Sequence, residues 1–332
     1  MSVTAVVVGK FLPPHRGHSY LIETACAGAD EVTVIVCARP DDVIPAEIRA
    51  DMLRELHPHV TVLVTPDDIP DNRGEATSRA WAARTVELLG GRAPNVVFSS
   101  EEYGPGYAAF MGARHVAVDP GRVRYPISGT VVRADPYGSA RFLAAPARSW
   151  FVQRVCVLGA ESTGTTTLVR DLAQHYSCAW VPEYGRTFCE LRLADAPTIE
   201  WCTQDFVDIA LRQQADEDRA ARQGGRLLIC DTDALATSIW HERYLGGPSA
   251  EVARLAAGRT YAMYILTGDD IPFVQDGTRD GEHIRGWMTV RFREVLAARS
   301  EPWIEVRGTC EQRLATACAA IDALLSRPIG AP

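Results

Sequence analysis

Gly9-Lys10-Phe11-Leu12-Pro13-Pro14-His15-Arg16-Gly17-His18 is the stretch on which the fold turns. An apolar, β-branched run, Val3 to Val8, leads into it and has the character of a buried parallel strand. Ser19 to Ala27 follows and reads as a helix with Leu21, Ile22 and Ala25 on its apolar side. The decapeptide is therefore a strand, a turn and a helix start. Free N–H groups point out of a helix N-terminus and make an anion site. Two histidines three residues apart, with Gly17 between them, sit at that point. Imidazoles there can donate to phosphate oxygens and take up charge near neutral pH. A glycine-rich turn with two solvated histidines is the plain alternative. The ordered arrival of strand, glycines, histidines and helix favours the phosphate site.

Working outward, Glu31 to Cys37 reads as a second strand, Ala46 to Leu56 as a helix and Val60 to Val64 as a short strand. Pro66 to Gly74 is rich in Asp, Pro, Asn and Gly and reads as a loop. Ala76 to Leu89 is a helix and Asn95 to Phe98 a strand. Such alternation predicts a parallel sheet with helices on both faces. Ligands of such sheets bind outside the carboxyl ends of the strands, where His15 and His18 lie. Ser99-Ser100-Glu101-Glu102-Tyr103-Gly104 reaches the same edge, with Ser100 as a helix cap and carboxylates in the first turn as the structural reading. Trp81 is a candidate for stacking on a flat ring, and core packing explains it equally well. Ile127-Ser128-Gly129-Thr130-Val131-Val132-Arg133 is a second phosphate cradle: Ser128 and Thr130 can open a helix, and Arg133 one turn on brings a permanent bidentate cation.

With 332 residues the chain is long enough for two domains. Its net charge of −8 and the lack of a basic stripe argue against a nucleic-acid partner. Lys10 is the only lysine, which high-GC coding explains on its own. Nine scattered cysteines, with no C-x-x-C pair and no Cys/His cluster at zinc spacing, read as free thiols in a reducing cytoplasm. No signal peptide precedes Val3 and no apolar run suffices for a membrane span. A joint falls in Arg141 to Arg154, so we expect domains 1–147 and 148–332.

Past the joint, Val155 to Leu158 starts a new buried strand. Gly159-Ala160-Glu161-Ser162-Thr163-Gly164-Thr165-Thr166 follows, and Leu168 to His175 reads as a helix. The spacing is that of the P-loop, G-x-x-x-x-G-K-[ST], with Thr165 at the lysine position. The glycines still allow a nest of N–H groups, and Thr166 can still ligate Mg2+. The cation on the β and γ phosphates is missing. Arg226 to Asp233 is an apolar strand ending in Asp231 and Asp233, which suits the magnesium-holding carboxylate of such sites, a helix cap being the alternative. Glu183, ahead of Tyr184-Gly185-Arg186, is a candidate general base. Tyr261 to Leu266 is a further strand, and Asp269 to Arg285 reads as a loop, either a lid carrying Arg279 and Arg285 over phosphates or a plain solvated segment.

GKFLPPHRGH and ISGTVVR together resemble the two motifs of the nucleotidylyltransferase superfamily, in its nicotinamide-mononucleotide (NMN) adenylyltransferase branch. GAESTGTTT, VPEYGR, CDTDALAT and PFVQDGTR resemble the ribosylnicotinamide kinase domain of the bifunctional NadR-type family. The resemblance spans nearly the whole chain. It implies an α/β fold of two domains, a Rossmann-like nucleotidylyltransferase sheet and a P-loop kinase-like parallel sheet. It implies adenylyl transfer from ATP to NMN, giving NAD and pyrophosphate, and ATP- and Mg2+-dependent phosphorylation of nicotinamide riboside. In the first half it places His15, His18 and Arg133 in catalysis, Gly9, Lys10, Phe11, Gly17, Ser128 and Thr130 on the nucleotide, and Trp81, Glu102 and Tyr103 on the substrate. In the second it places Gly159, Glu161, Ser162, Thr163, Gly164, Thr165, Thr166, Thr167, Arg279 and Arg285 on the nucleotide, Glu183 and Asp231 in catalysis, Thr166 and Asp231 on Mg2+, and Arg186 and Asp233 on the acceptor. The family's DNA-binding helix-turn-helix has no counterpart ahead of Val3, so a repressor role is not carried over. Two rival readings stay open at this point: a nucleotidylyltransferase for another phosphate substrate, and a second domain that senses nucleotide without turnover because Thr165 replaces lysine. The sequence leaves oligomeric state and any coupling between the sites open.

Overall fold

The computed structural model describes residues 2–70, 74–195, 198–274 and 282–327. The chain divides into two units, Met1–Arg148 and Ser149–Pro332. In the first, strands β1 (Thr4–Gly9), β2 (Glu31–Ala38), β3 (Thr61–Pro66), β4 (Val96–Ser99) and β5 (Arg114–Ala117) alternate with helices α1 (Arg16–Gly28), α2 (Ala46–Leu56), α3 (Glu75–Leu88) and α4 (Gly104–Ala109), and α5 (Gly129–Ala134) follows. The strands are all parallel, in the order β3-β2-β1-β4-β5. Alternation along β1 fixes the two layers. Ala5 and Val7 pack with Leu21, Ile22 and Ala25 of α1 and Ala50 and Leu53 of α2. Val6 faces the other way, onto Ala82 of α3 and Tyr107 and Ala108 of α4. The chain runs outward through β2 and β3, then returns to the other side of β1 for β4. The order therefore reverses beside β1, and a crevice opens there at the carboxyl ends.

A six-residue helix, α6 (Ala145–Trp150), spans the point of division. The second unit holds β6 (Gln153–Gly159), α7 (Thr165–Tyr176), β7 (Ala179–Val181), α8 (Tyr184–Asp195), α9 (Thr203–Arg222), β8 (Leu227–Asp231), α10 (Ala234–Leu245), α11 (Ala250–Ala257), β9 (Met263–Thr267), α12 (Arg285–Ala297), β10 (Trp303–Val306) and α13 (Cys310–Leu325). Its sheet is also parallel, in the order β10-β9-β6-β8-β7. Val155 and Val157 of β6 pack under α7 and α13. Cys156 and Leu158 face α9, α10 and α12. The expected two-sheet α/β architecture is thus what the chain adopts. Among the described residues no helix is long and apolar enough to cross a membrane.

Elements not expected from the sequence are short or lack a local signal. β5 is four residues with no buried position, and its pairing with β4 supplies what propensity does not. Helix α1 opens at Arg16 rather than Ser19 because the His15 side chain caps it. Helix α4 opens at Gly104, so Ser100 is not its cap; Ser100 Oγ donates instead to the Val118 carbonyl at 2.6 Å.

Each sheet has its own pair of apolar layers, so we expect residues 1–150, which keep α6 whole, to fold alone. A single cooperative melt followed by circular dichroism checks it. A soluble fragment that melts without cooperativity refutes it.

Candidate active sites

At the end of β1 the chain turns through Phe11, which has a positive φ of 48° and a buried ring. That ring meets His18 edge-on, with centroids 4.9 Å apart. The side chain of Phe11 therefore belongs to the core, and only its backbone faces the crevice. His15 caps α1: its Nδ1 accepts from the backbone N–H of His18 at 3.3 Å. An accepting Nδ1 leaves the ring proton on Nε2, so His15 offers one N–H outward. The two imidazoles stack, with centroids 3.6 Å apart and planes 15° apart. Gly17 permits this, since a Cβ there would lie 3.1 Å from the His15 ring.

Burial, and after it the positive charge of Arg122, push His15 down to about 4. His18 is pushed well below its ordinary value by burial, then by His15 and Arg122. The expectation that these rings take up charge near neutral pH is thereby corrected. Burial thus favours the neutral form of both rings, and what His15 brings to a phosphate is an N–H rather than a charge. His18 Nδ1 is buried and has no hydrogen-bond partner among the described residues.

The second motif closes on the first. Ser128 caps α5, its Oγ accepting from Val131 N–H at 3.3 Å. Arg133 donates to the Leu12 carbonyl at 2.6 Å and to Thr130 Oγ1 at 3.3 Å. Gly129 sits so near that a Cβ would come within 2.4 Å of the Leu12 oxygen. Two segments more than a hundred residues apart in sequence thus share one crevice, with Ser128, Thr130, Arg133, His15 and His18 around it. Tyr103 lies over the end of β1, its hydroxyl donating to the Val8 carbonyl at 3.2 Å while the residue stays 44% exposed. Glu102 is exposed. Trp81 is half-buried against the apolar layer of Val6 and Tyr107, which is the core reading. Lys10 lies 3.6 Å from Asp67, which Arg39 also holds.

Sequence reasoning missed Arg49. Fully buried on α2, it donates to the carbonyls of Lys10, Cys37 (3.1 Å) and Ile44 (2.9 Å) and pairs with Asp42 at 2.5 Å. It ties the loop after β1 to the end of β2. The available signal was an arginine one turn before Leu53, on the buried stripe of the helix.

In the second unit the loop after β6 bends through Ser162 (φ 57°) and Gly164 (φ 82°), and α7 opens at Thr165, with Thr167 exposed. A Cβ at Gly159 would lie 2.2 Å from Thr267 Oγ1, so only glycine fits there. Thr163 is buried, bonded to the Ala160 carbonyl and to Thr267 Oγ1, both at 2.7 Å. Thr166 Oγ1 donates to Asp231 Oδ2 at 2.6 Å. Asp231 Oδ1 is buried with no hydrogen-bond partner among the described residues. Burial raises its carboxyl to about 6, against the Thr166 hydroxyl and the charges of Arg186 and Arg170.

Asp233 does something else. It caps α10, accepting from Ala236 N–H at 3.0 Å and from the Tyr264 hydroxyl at 2.9 Å. The cap alternative therefore holds for Asp233, which faces away from the loop. Between the two aspartates Thr232 has a φ of 69°, an uncommon conformation for a β-branched residue. Glu161 accepts from Arg243 at 2.8 Å. Glu183, Glu161 and Arg186 gather around Cys189, whose thiol burial and the two carboxylates push up to about 11.

Arg285 is corrected as a lid residue. It opens α12, is 8% exposed, and donates to the carbonyls of Ser162 at 3.3 Å and Ile271 at 3.0 Å. Arg279 lies outside the described residues. An aromatic cluster beside Glu161 escaped the sequence reading: Trp201 stacks on Phe188 (5.9 Å) and Tyr244 (4.9 Å), and Arg243 lies 4.6 Å over the Tyr244 ring and 5.0 Å over Trp240. Trp240 and Tyr244, four apart on α10, were the legible part of it. No group of three His, Cys, Asp or Glu at metal-binding spacing occurs among the described residues.

Comparisons bear on both sites. The family described as Cytidylyltransferase-like matches residues 6–134, and that described as AAA domain matches residues 154–313. The "Trifunctional NAD biosynthesis/regulator protein NadR" of Salmonella typhimurium (strain LT2) is 29% identical over 294 residues, covering 82% of this chain and 71% of that protein. The Escherichia coli K12 protein of the same description matches to the same extent. The chain resembles NadR-type proteins over most of its length. A solved structure described as NadR protein in complex with NR superposes with a TM-score of 0.71 at 20% identity, over 99% of this chain and 98% of that one. A second, NadR protein in complex with NAD and AMP-PNP, gives 0.69 at 20% identity, over 100% and 98%. At that identity the likeness concerns the fold, and it runs through both parallel sheets of this chain.

Proposed function

We propose that the first unit joins NMN to the adenylyl group of ATP, giving NAD and pyrophosphate, and that the second phosphorylates nicotinamide riboside to NMN with ATP. The observation that carries the reading is the closure of Ser128–Arg133 onto the Leu12 carbonyl beside the stacked histidines. It builds a phosphate crevice at the point where the strand order reverses. The descriptions of the NadR relatives support it.

In the first unit an oxygen of the NMN phosphate attacks the α-phosphorus of ATP, and the bond to the β-phosphate bridge breaks to release pyrophosphate. No enzyme nucleophile is needed. His15 and His18 donate N–H groups to phosphate oxygens as charge shifts, and Arg133 with Ser128 and Thr130 holds the departing β and γ phosphates. Backbone groups of Gly9 to Phe11 and Gly17 line the approach, and Tyr103 and Glu102 flank the substrate side.

In the second unit the 5′-hydroxyl of the riboside attacks the γ-phosphorus, and ADP leaves. Glu183 takes the hydroxyl proton. The N–H groups of residues 159–165 cradle the phosphates. The unpartnered buried Oδ1 of Asp231 beside the Thr166 hydroxyl fits Mg2+, which binds through one or two protein oxygens and otherwise to phosphate and water. Held by Asp231 and Thr166, such an ion would neutralise phosphate charge. The aromatic cluster of Trp201, Tyr244 and Trp240 packs beside the Arg243–Glu161 pair, with Arg186 toward the acceptor. The setting we propose is cytoplasmic, supported by cysteines that stand as free thiols.

The test offers the intact chain NMN with ATP, and separately nicotinamide riboside with ATP, and identifies products. NAD with pyrophosphate, and NMN with ADP, are expected. NMN left unchanged while another phosphate substrate is adenylylated sinks the first assignment. A second unit that binds nucleotide and transfers nothing makes it a sensor.

A further inference from the structure

P-loops carry a lysine where this chain has Thr165. The single lysine of the chain, Lys10, belongs to the other unit. Two buried arginines touch the loop and are spent on carbonyl groups. Arg313 donates to the carbonyls of Thr163 (2.7 Å), Gly308 (2.9 Å) and Gly268 (3.1 Å) and to Asp270 (2.8 Å). Arg285 donates to those of Ser162 and Ile271. Carbonyls point opposite to the N–H groups that form a phosphate nest, so both guanidiniums brace the loop from behind.

Arg170 is placed differently. It stands four residues after Thr166 on α7, so the two share a face. A helical side chain leans toward the helix N-terminus, the direction in which Thr166 lies from Arg170. Its Cζ lies 5.6 Å from the centroid of the Trp180 ring. Trp180 pairs in register with Ile229 of β8, and Asp231 lies two residues beyond Ile229, so all three face α7. Arg170 is exposed, it stands 5.6 Å from the Trp180 ring centroid, and it makes no hydrogen bond or ion pair among the described residues.

Resting on the kinase reading of this unit, we propose that Arg170 replaces the missing P-loop lysine, its guanidinium gripping the terminal phosphate of the nucleoside triphosphate from the α7 side. A guanidinium offers the same charge with a bidentate grip, and its longer reach suits a position one turn further along the helix. Trp180 holds it in place without neutralising it.

The test titrates AMP-PNP with Mg2+ into the intact chain by calorimetry. Two binding events are expected, and Thr166→Val, which removes only the second unit's, identifies it. Arg170→Ala is expected to weaken that event by about 10- to 100-fold, the scale of one charge-assisted contact, and to leave AMP binding unchanged. Thr165→Lys added to Arg170→Ala is expected to restore it. Phosphorylation of nicotinamide riboside should follow the same order. An Arg170→Ala chain whose second unit holds AMP-PNP as tightly as the parent overturns the proposal, as does an equal loss for AMP. If AMP-PNP binding depends on Arg170 but no riboside is phosphorylated, the assignment of Arg170 stands and the acceptor reading falls.

Discussion

His18→Ala is expected to lower adenylyl transfer by about 10²- to 10³-fold, the effect of losing one preorganised donor. The loss should fall on kcat, because the ring acts on charge that develops as the phosphate bond exchanges. The variant should fold. It gives up the stack on His15 and the edge contact with Phe11, while the cap on α1 comes from His15 and survives. NAD formation is the assay, and near-normal turnover in a folded variant removes the role. The neutral rings add a pH signature. Their pKa values are depressed, so the folded chain prefers the unprotonated form, and the stability this gives is present above about pH 6.5 and lost as pH falls toward 4. We expect kcat/KM for adenylyl transfer to show no imidazole titration between pH 6 and 8, with an acidic fall only below about 5. A limb near 6.5 would mean that the charged form does the work.

Asp231→Asn is expected to cost the second unit at least about 10²-fold in phosphate transfer, since it weakens the grip on Mg2+. Stability should move the other way. The folded pKa of about 6 lies above the usual carboxylate value, so the buried charge erodes stability as pH rises from about 4 to 6 and the erosion is complete above that. The amide carries no charge. Without nucleotide or metal, the variant should melt no lower than the parent at pH 8, and it should lose the extra stabilisation that Mg2+ with AMP-PNP gives the parent. In the parent, Mg2+ affinity should weaken as pH drops below about 6, because the metal-free carboxyl then takes up a proton that the ion must displace. A variant that keeps full transfer places the magnesium ligand elsewhere.

Much of this was legible because its signals are local. β1 and β6 are runs of β-branched and apolar residues broken by glycine, and each opens a helix on a phosphate motif. What was illegible depends on contacts far away in sequence. From their spacing the histidines read as rings that take up charge near neutral pH, and only burial, with Arg122 more than a hundred residues on, favours the neutral form. Arg285 reads as a loop cation, yet its partners are Ser162 and Ile271. Asp231 and Asp233 are identical in type and share one strand end. What distinguishes them is the Thr166 hydroxyl for one and the Tyr264 hydroxyl for the other.

That separation has an electrostatic consequence. Side chains two apart on a regular strand point the same way, so an extended Thr232 would aim both carboxylates at the phosphates. The left-handed turn at Thr232 sends Asp233 into the opposite layer instead, where Tyr264 and the start of α10 receive it. A second carboxylate about 5 Å from a phosphate charge repels it by about 3 kcal/mol at an effective dielectric constant of about 20. One unfavourable backbone angle therefore takes one negative charge away from those an incoming polyanion meets. In a site without the usual lysine, that relief counts on the same side of the balance as an added cation.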